Sequence, residues 1–441
     1  MKNKFDYVLK NYEMFYQINA AINYGKSDDK GVNVKQSVTN SFFKNKEDIV
    51  PEKVVWKEWK GQKIPFCFDV DDKKEIITKT DNQIIINYDI IASSFYFLSG
   101  WNELVNSQKD DFGRVAYDHS IIKKLNICLI PVVNYYFDIL NEAMVMKTGR
   151  DGKKNSWSGS DFGVALTHDI DACNSAWLEG SFSELKKKHF FSIPLLLFKR
   201  LFRQDDWFNF KLISDIENKY NASSSFYFLP QKGKSGKWKN ADYNIGNKNI
   251  QKAILFLKNR GHDIGVHGSF GTHNNTNKLI AEINKINIKD IFGNRFHFLM
   301  FDAEKSVEVL EKSGIKYDTS LGFAEHIGFR RGTCFPFYLY NFKKDCSSMV
   351  IEIPLIVMDS TLQNPKYMGI SQTESLKSVF SIIEEIKKFN GVFTILWHNT
   401  FFSDYKYTGW REIYIKILDF CKANNGYLTN GENIFTHIIK K

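Results

Sequence analysis

From about residue 160 to the end of the chain, segments with the apolar pattern of buried strands alternate with segments of helical periodicity. The strand candidates are 163–167, 224–229, 263–267, 295–299, 315–319, 349–354 and 392–397. The helix candidates, which fall between most of them, are 209–220, 247–260, 276–291, 303–313 and 374–389. Seven short strands with intervening helices favour an α/β fold in which parallel strands form a barrel.

The first part of the chain has a different pattern. Apolar residues recur at helical spacing from Leu9 to Ile22, and Val54 to Phe68 carries the aromatic pattern of a strand. Glycines among Lys, Asn and Ser mark 150–160 as a linker. We therefore predict a smaller N-terminal α/β domain over residues 1–155 and a barrel domain over residues 156–441. In the first domain we interpret Asp110, Asp111 and Arg114 as a structural salt bridge at a turn, and a functional role for these residues is the alternative.

Composition excludes several classes of function. Lys and Arg outnumber Asp and Glu by 60 to 50, a net charge of +10 that is spread along the chain. Without a zinc-finger, helix-turn-helix or single-strand-binding signature, this charge predicts a Lys-rich solvated surface and no nucleic-acid partner. The six cysteines form no Cys-x-x-Cys pair, which is typical of free thiols in a reducing compartment.

The sequence lacks the features of export. No apolar core follows the N-terminal charges, and no run of about 18 apolar residues is available to span a bilayer. We therefore expect a cytoplasmic protein. The basic, apolar stretch 185–204 is interpreted as a surface helix packed on the barrel, and the alternative is a peripheral contact with the inner face of the membrane.

The most chemically distinctive stretch follows the first strand candidate of the barrel. Thr167-His-Asp-Ile-Asp171 places two carboxylates, Asp169 and Asp171, two residues apart at the end of the strand. In an extended chain these side chains share one face. Two carboxylates this close predict a metal ion or a strong hydrogen-bond donor beside them. An exposed Asp-rich turn is the alternative.

Thr-His-Asp-Ile-Asp resembles the first motif of the polysaccharide deacetylases, the NodB-homology enzymes of carbohydrate esterase family four. The resemblance implies a distorted (β/α)7 barrel with its site at the C-terminal ends of the strands. It also implies that Asp169 is the general base and that Asp171 binds one divalent metal ion, expected to be Zn²⁺. Residues 1–155 resemble the module found ahead of some deacetylase domains in surface-polysaccharide gene clusters, to which no chemistry is assigned.

The stretch 261–273, Gly-His-Asp-Ile-Gly-Val-His-Gly-Ser-Phe-Gly-Thr-His, resembles the second motif of that family. The resemblance implies that His267 and His273 are metal ligands and that His262 orients backbone. In the family the second His follows four residues after the first. Here the spacing is six, which does not stack on one helix face, so we expect two intervening glycines to let a loop return His273 to the metal.

Two further elements complete the resemblance. Arg295 matches an arginine that pairs with the catalytic base, with His297 in place of the family's proline. His297 is therefore a rival metal ligand if His273 is out of reach, or a substrate-binding residue. His398, after the apolar segment Thr394-Ile-Leu-Trp, matches the histidine that protonates the leaving group.

Two more polar residues follow strand candidates. Arg330 is a candidate for holding an acidic or phosphorylated part of the substrate, and the alternative is a structural pair with Asp318 or Glu325. Asp359 is a candidate of the same kind.

These elements predict a metal-dependent hydrolase that removes an acetyl group from an N-acetylated or O-acetylated sugar during surface-polysaccharide assembly. Two alternatives remain open. His-Asp and Asp-x-Asp elements also build metal-dependent phosphoesterases, although a site with two metals would need more carboxylates. The altered histidine spacing also fits a non-catalytic carbohydrate-binding or scaffold protein on a deacetylase-like barrel.

Overall fold

The structure, a computed structural model, describes residues 2–19, 21–37, 54–106, 108–152, 156–179, 181 and 205–440. The predicted surface helix at 185–204 lies outside the described residues. Within the described ranges, no helix combines the length and the apolar character needed to cross a bilayer.

The N-terminal unit, residues 2–152, is a mixture of helices and short strands. Its helices are α1 (Lys2–Tyr16), α2 (Ile90–Leu98), α3 (Trp101–Leu104), α4 (Ile121–Lys124) and α5 (Val132–Thr148). Its strands are β1 (Ile22–Tyr24), β2 (Val32–Val34), β3 (Val55–Trp59), β4 (Gln62–Phe66), β5 (Ile77–Lys79) and β6 (Ile84–Ile86). One sheet has the order β1-β2-β6-β5, and β3 and β4 form an antiparallel pair where Val54 to Phe68 predicts a strand. The helix predicted from Leu9 to Ile22 instead begins at Lys2 and ends at Tyr16.

The rest of the described chain is built on one large sheet. Its strands, with a small hairpin formed by β9 and β10, are β7 (Phe162–Ile170), β8 (Ser225–Phe228), β9 (Lys234–Ser235), β10 (Trp238–Lys239), β11 (Asp263–Gly268), β12 (Gly293–Phe296), β13 (Tyr317–Asp318), β14 (Phe337–Asn341), β15 (Cys346–Glu352), β16 (Val357–Met358), β17 (Val392–Leu396) and β18 (Gly426–Thr429). The order is β14-β15-β13-β12-β11-β8-β7-β17-β16, with β18 beside β7. All of these pairings except β14 with β15 are parallel, which confirms the predicted α/β class.

The large sheet curls back toward itself. β15 pairs with β13 and β16 pairs with β17, yet only residues 353–356 separate β15 from β16 along the chain. The backbone N–H groups of Ile353 and Ile356 donate to carbonyls of Asp318 and Thr394, one on each side. Opposite sides of the sheet are therefore joined by a single chain segment.

Helices cover this sheet at the positions that the periodicity predicts, and additional elements follow residue 399. The helices are α6 (Phe210–Asn218), α7 (Lys248–Asn259), α8 (Thr276–Ile286), α9 (Ser306–Lys312), α10 (Asp359–Gln363), α11 (Gln372–Lys387), α12 (Asp404–Tyr407), α13 (Trp410–Ala423) and α14 (Gly431–Ile439). The elements that were not predicted are α10, the last three helices and strands β9, β10, β14, β16 and β18. The predicted strand 295–299 stops at Phe296, because His297–Leu299 form a 3-10 turn in which Phe298 has φ 60°.

The two parts of the chain share their interior. One hydrophobic cluster contains Phe15 and Phe97 of the N-terminal unit together with Phe393 and Trp397 of the large sheet. Burial of this apolar surface is the main force that holds the two parts together. The six cysteines are free thiols, as predicted.

Candidate metal centre

The residues of the predicted motifs meet at one edge of the large sheet. Asp169 is the penultimate residue of β7 and Asp171 follows its end, while His267 is the penultimate residue of β11. Arg295 is the penultimate residue of β12, next to β11. Because these strands are parallel, their carboxyl ends lie at the same edge and bring distant sequence motifs together.

Three side chains converge on one point. Asp171 Oδ1 lies 3.4 Å from His267 Nε2 and 3.6 Å from His297 Nδ1, and the two nitrogens are 3.0 Å apart. Their candidate ligand atoms all lie within 4.8 Å of one another. Both imidazoles are buried.

The hydrogen bonds on the far side of each ring fix where the ring protons are. His267 Nδ1 is 2.8 Å from the carbonyl oxygen of Arg295, and His297 Nε2 is 3.1 Å from that of Lys239. A carbonyl oxygen only accepts, so both of these nitrogens carry a proton and donate it. When both rings are neutral, His267 Nε2 and His297 Nδ1 are left with lone pairs that face each other.

The donor set fits a divalent metal ion. Asp171 Oδ1, which faces both lone pairs, is buried and has no hydrogen-bond partner among the described residues. Three acceptors that converge without a hydrogen between them repel one another unless a cation lies among them. One carboxylate and two neutral imidazoles, each oriented by a backbone carbonyl, are typical ligands of zinc and related ions.

The electrostatics of the cluster favour a positive charge at this point. Burial lowers the pKa of His267, but Asp169 and Asp171 raise it by more, so the net shift is upward. Burial lowers the pKa of His297 to about 4, an effect that Asp171 only partly opposes. His297 is therefore neutral at physiological pH, which is the form in which imidazole binds metals.

Asp169 lies beside the cluster and is paired with Arg295. Arg295 Nη1 is 2.8 Å from Asp169 Oδ1, and the other carboxylate oxygen is 3.6 Å from His267 Nε2. The guanidinium is fully buried and also donates to Thr167 Oγ1 and to the carbonyl of Thr319. This pairing holds a carboxylate in one orientation at the edge of the cluster, as the motif predicts.

His398 approaches the cluster from the end of β17. Its Nδ1 lies 2.8 Å from Asp359 Oδ1, and its Nε2 lies 3.7 Å from Asp171 Oδ2. Burial lowers the pKa of His398, but Asp359 raises it more strongly, to about 10. Asp359, predicted as a substrate-binding candidate, is therefore engaged with His398, whose protonated Nε2 lies on the cluster side.

These groups open onto one small cavity of about 130 Å³. Its lining combines the polar cluster with apolar side chains from both parts of the chain. The lining residues are Phe112, Arg114, Asp169, Asp171, His267, His297, Phe298, Leu299, Ala324, Met358, Ser360, Tyr367, Leu396 and His398. A polar floor under apolar walls is typical of sites for small molecules.

Two residues predicted for the site lie elsewhere. His273 is not in the cluster, because the loop after β11 carries it toward α9, where its carbonyl accepts from Ser306 Oγ at 2.9 Å. The rival ligand, His297, takes the place that we predicted for His273. Arg330 does not face the cavity, because its Nε and Nη2 bind the carboxylate of Glu103 at 2.9 and 2.8 Å.

His262 behaves as predicted, since its Nδ1 accepts a hydrogen bond from the backbone N–H of Ser224 at 3.1 Å. Arg114 forms the predicted salt bridge, with its Nη2 2.7 Å from Asp110 Oδ2. Arg114, for which a functional role was the alternative, also lines the cavity together with Phe112, and this position beside the cavity was not predicted. No local sequence signal identifies them, because their position depends on how the N-terminal unit packs against the large sheet.

Comparisons with known proteins give a family match for the N-terminal unit and distant structural likenesses for the rest. A model described as a family of unknown function (DUF7033) matches residues 1–149. No curated protein matches the chain.

Among solved structures, the chain is similar to two proteins described as polysaccharide deacetylases. The one from Mycobacterium smegmatis is 13% identical, with 65% of this chain and 93% of that chain covered and a TM-score of 0.43. The one from Pseudomonas aeruginosa PAO1 is 10% identical, with 65% and 93% covered and a TM-score of 0.44. A pseudoenzyme of carbohydrate esterase family 4 from Bacillus anthracis is 10% identical, with 64% and 67% covered and a TM-score of 0.32. At this level of likeness, none of them assigns the chain to a family.

Proposed function

We propose that this protein is a metal-dependent hydrolase that removes an acetyl group from an N-acetylated or O-acetylated sugar in surface-polysaccharide assembly. The observation that carries the proposal is the convergence of Asp171 Oδ1, His267 Nε2 and His297 Nδ1, with Asp169 on one side and His398 on the other. We take the curled sheet to be a distorted (β/α)7 barrel whose C-terminal edge carries this site. The sugar substrate is inferred from the sequence motifs.

The cluster residues would hold the ion, with zinc as the expected metal. When bound, such an ion supplies a Lewis acid that polarises a carbonyl and lowers the pKa of water. Asp169 is positioned to take a proton from the attacking water, because one of its oxygens faces the cluster while Arg295 holds the other. The ion pair with Arg295 holds the carboxylate in the orientation that this task requires.

His398 supplies the proton that the leaving group requires. Its Nδ1–H donates to Asp359, and its Nε2 carries a second proton at neutral pH because its pKa is raised to about 10. Nε2–H therefore donates to the leaving nitrogen of an acetamide, or to the oxygen of an O-acetyl ester. The products are acetate and the free amino sugar or alcohol.

A single-ion site also bears on the alternatives. The described residues contain one cluster of this kind, with one carboxylate, whereas a phosphoesterase that uses two metals would need more. A non-catalytic binding protein on the same barrel is the remaining alternative, and metal content separates it from an enzyme.

The test is elemental analysis of purified wild-type protein, His297→Ala and His273→Ala, in parallel with acetate release from N-acetylated sugars. We expect one equivalent of divalent metal in the wild type and in His273→Ala. We expect His297→Ala to lose metal, because it removes one of the three converging ligands. The two variants are matched, since each removes one histidine from the same region of the chain, buried at 297 and half-buried at 273.

The outcomes separate the hypotheses. A loss of bound metal in His273→Ala, without such a loss in His297→Ala, would contradict the proposed set of ligands. Wild-type protein that takes up no metal after reconstitution would refute the enzyme and favour the binding protein. Metal uptake together with phosphate release, but without acetate release, would favour the phosphoesterase.

A further inference from the structure

The N-terminal unit reaches the metal centre through one turn, residues 110–114. Asp110 Oδ1 accepts hydrogen bonds from the backbone N–H groups of Phe112 and Arg114, both at 2.9 Å. The backbone N–H of Asp110 donates to the carbonyl of Arg114, which closes the turn. Side-chain and backbone bonds together fix the direction in which Phe112 and Arg114 project.

The turn meets a strained segment of the large sheet. Immediately after His297, Phe298 and Leu299 have φ values of 60° and 53°, in the left-handed region that residues other than glycine rarely adopt. A residue in this conformation is strained and persists only when its surroundings hold it in place. The strained segment directly follows a proposed metal ligand and lines the cavity.

Arg114 supplies a contact that holds this segment. Its Nη1 donates to the carbonyl oxygen of Phe298, while Nε and Nη2 bind Asp110 Oδ2 at 2.8 and 2.7 Å. Nη2 is also 3.8 Å from Glu325 Oε1, so its charge is neutralised within the protein. Arg114 is 7% exposed. Arg114 is buried and its charge is paired with carboxylates. It therefore holds the strained segment in place and does not serve as a binding site for an anionic substrate.

Phe112 closes the outer side of the cavity. Its ring centroid lies 4.8 Å from that of Phe298 and 4.3 Å from that of Trp238. Trp238 belongs to β10, and the neighbouring carbonyl of Lys239 accepts the hydrogen bond from His297. The aromatic wall is therefore continuous with the backbone that orients a proposed metal ligand.

We propose that turn 110–114 of the N-terminal unit contributes to both metal binding and substrate selection at the metal centre. Arg114 is a positioning residue that holds the 297–299 segment, and with it His297, in the geometry that binds the ion. Phe112 is a specificity-determining residue. Its ring limits the acyl group that fits in the cavity of about 130 Å³ to one as small as acetyl. This inference rests on the proposed metal site and gives the N-terminal unit a role in the reaction.

The positioning role of Arg114 is tested by the dissociation constant for Zn²⁺, measured by competition with a chromophoric chelator on fully folded protein. Arg114→Ala should weaken zinc binding by about 10–100-fold, the range observed when residues that orient ligands are removed. Arg114→Lys keeps a positive charge but not the fork of donors, so it should recover part of the affinity. Arg150→Ala, which removes an exposed arginine of the same unit, is the matched control and should bind like wild type.

Because affinity is measured on folded protein, a general loss of stability does not produce the expected result. If Arg114→Ala binds zinc as tightly as wild type, the positioning role of Arg114 is wrong. If Arg114→Ala does not fold, unchanged affinity in Arg114→Lys would overturn it instead. Wild-type protein that binds no zinc would refute the proposed function as well, which distinguishes the two failures.

The role of Phe112 in limiting the size of the acyl group is tested with hydroxamates of increasing size. Their binding is followed by the visible spectrum of Co²⁺-loaded protein. Wild type should bind acetohydroxamate and discriminate against benzohydroxamate, because the added phenyl ring competes for space with Phe112 in a cavity of about 130 Å³. Phe112→Ala should admit benzohydroxamate, with an affinity at least about tenfold above that of wild type. If wild type and Phe112→Ala bind benzohydroxamate equally weakly, Phe112 does not limit the size of the acyl group.

Discussion

At the scale of single residues, the proposed mechanism assigns ion binding and proton transfer to two different carboxylates. Asp169 and Asp171 are two residues apart, yet they have different partners. Asp171 faces two imidazole lone pairs, whereas Asp169 is bound by the guanidinium of Arg295. The environment of each carboxylate, and not its residue type, therefore decides its role.

Replacement of Asp169 by Asn tests this division. The amide keeps the size of the carboxylate but cannot accept a proton, so we expect kcat for acetate release to fall by about 10²–10⁴-fold. Metal content should stay at the wild-type level, because Asp169 is not in the converging set. Asp215→Asn makes the same change on α6, away from the lining of the cavity, and should leave kcat unchanged. Retained turnover in Asp169→Asn, measured with metal bound, would contradict the assignment of the base.

The sequence could predict most of this site because each functional residue follows a recognisable apolar strand. The sequence offers two candidates for the third ligand, His273 and His297, and prefers His273, whereas the cluster contains His297. The order His267 to His273 suggests a ligand pair, but the loop after β11 turns toward α9 and removes His273 from the cluster. His297 enters the cluster because its strand ends at Phe296 and the chain turns sharply there. Local periodicity does not encode such a turn at a residue other than glycine.

At the scale of elements, a glycine in β11 controls how the strands below the site pack. A Cβ placed on Gly265 would lie 2.3 Å from Tyr227 Cδ1 and 2.9 Å from the carbonyl oxygen of Gly293. Tyr227 is fully buried, and the guanidinium carbon of Arg295 lies 4.9 Å from the centre of its ring. The absence of a side chain at 265 therefore provides the space for the ring under the arginine that holds Asp169.

Gly265→Ala should destabilise the protein by about 1–3 kcal/mol, the usual cost of overpacking a tight interior. Because the displaced ring lies against Arg295, kcat should fall as well. Urea denaturation and acetate release measure the two effects. Gly246→Ala is the control, since a Cβ at that position meets only Asn244 Oδ1 at an ordinary 3.6 Å. Equal stability of the two variants would show that the ring can move aside.

At the scale of the whole molecule, the N-terminal unit and the large sheet are joined by a buried ion cluster as well as by apolar contacts. Glu103 of α3 binds Arg330 through two hydrogen bonds and lies 3.3 Å from Nη2 of Arg331. All three residues are buried. The sequence predicts a structural partner for Arg330 but places it nearby, at Asp318 or Glu325. Pairing across more than two hundred residues depends on how the two units dock, which local patterns do not reveal.

The charge of Glu103 should therefore be a major determinant of stability. Burial raises the pKa of Glu103, but Arg330 and Arg331 lower it by more, from 4.5 to about 2. The folded state then binds its proton less readily than the unfolded state, so the ionised group stabilises the fold above about pH 4.5. This contribution is lost as the pH falls toward about 2.

Glu103→Gln leaves two buried guanidinium groups without a counter-charge, which should cost about 3–5 kcal/mol in the free energy of unfolding at pH 7. Urea denaturation of both proteins between pH 7 and pH 3 measures the difference, which should be constant down to about pH 4.5 and then narrow. Glu142→Gln, at a more exposed carboxylate of the same unit that lies 3.7 Å from Lys60, is the control and should change stability by less than about 1 kcal/mol at every pH. A difference between wild type and Glu103→Gln that does not narrow in acid would mean that hydrogen bonding, and not the charge of Glu103, joins the two units.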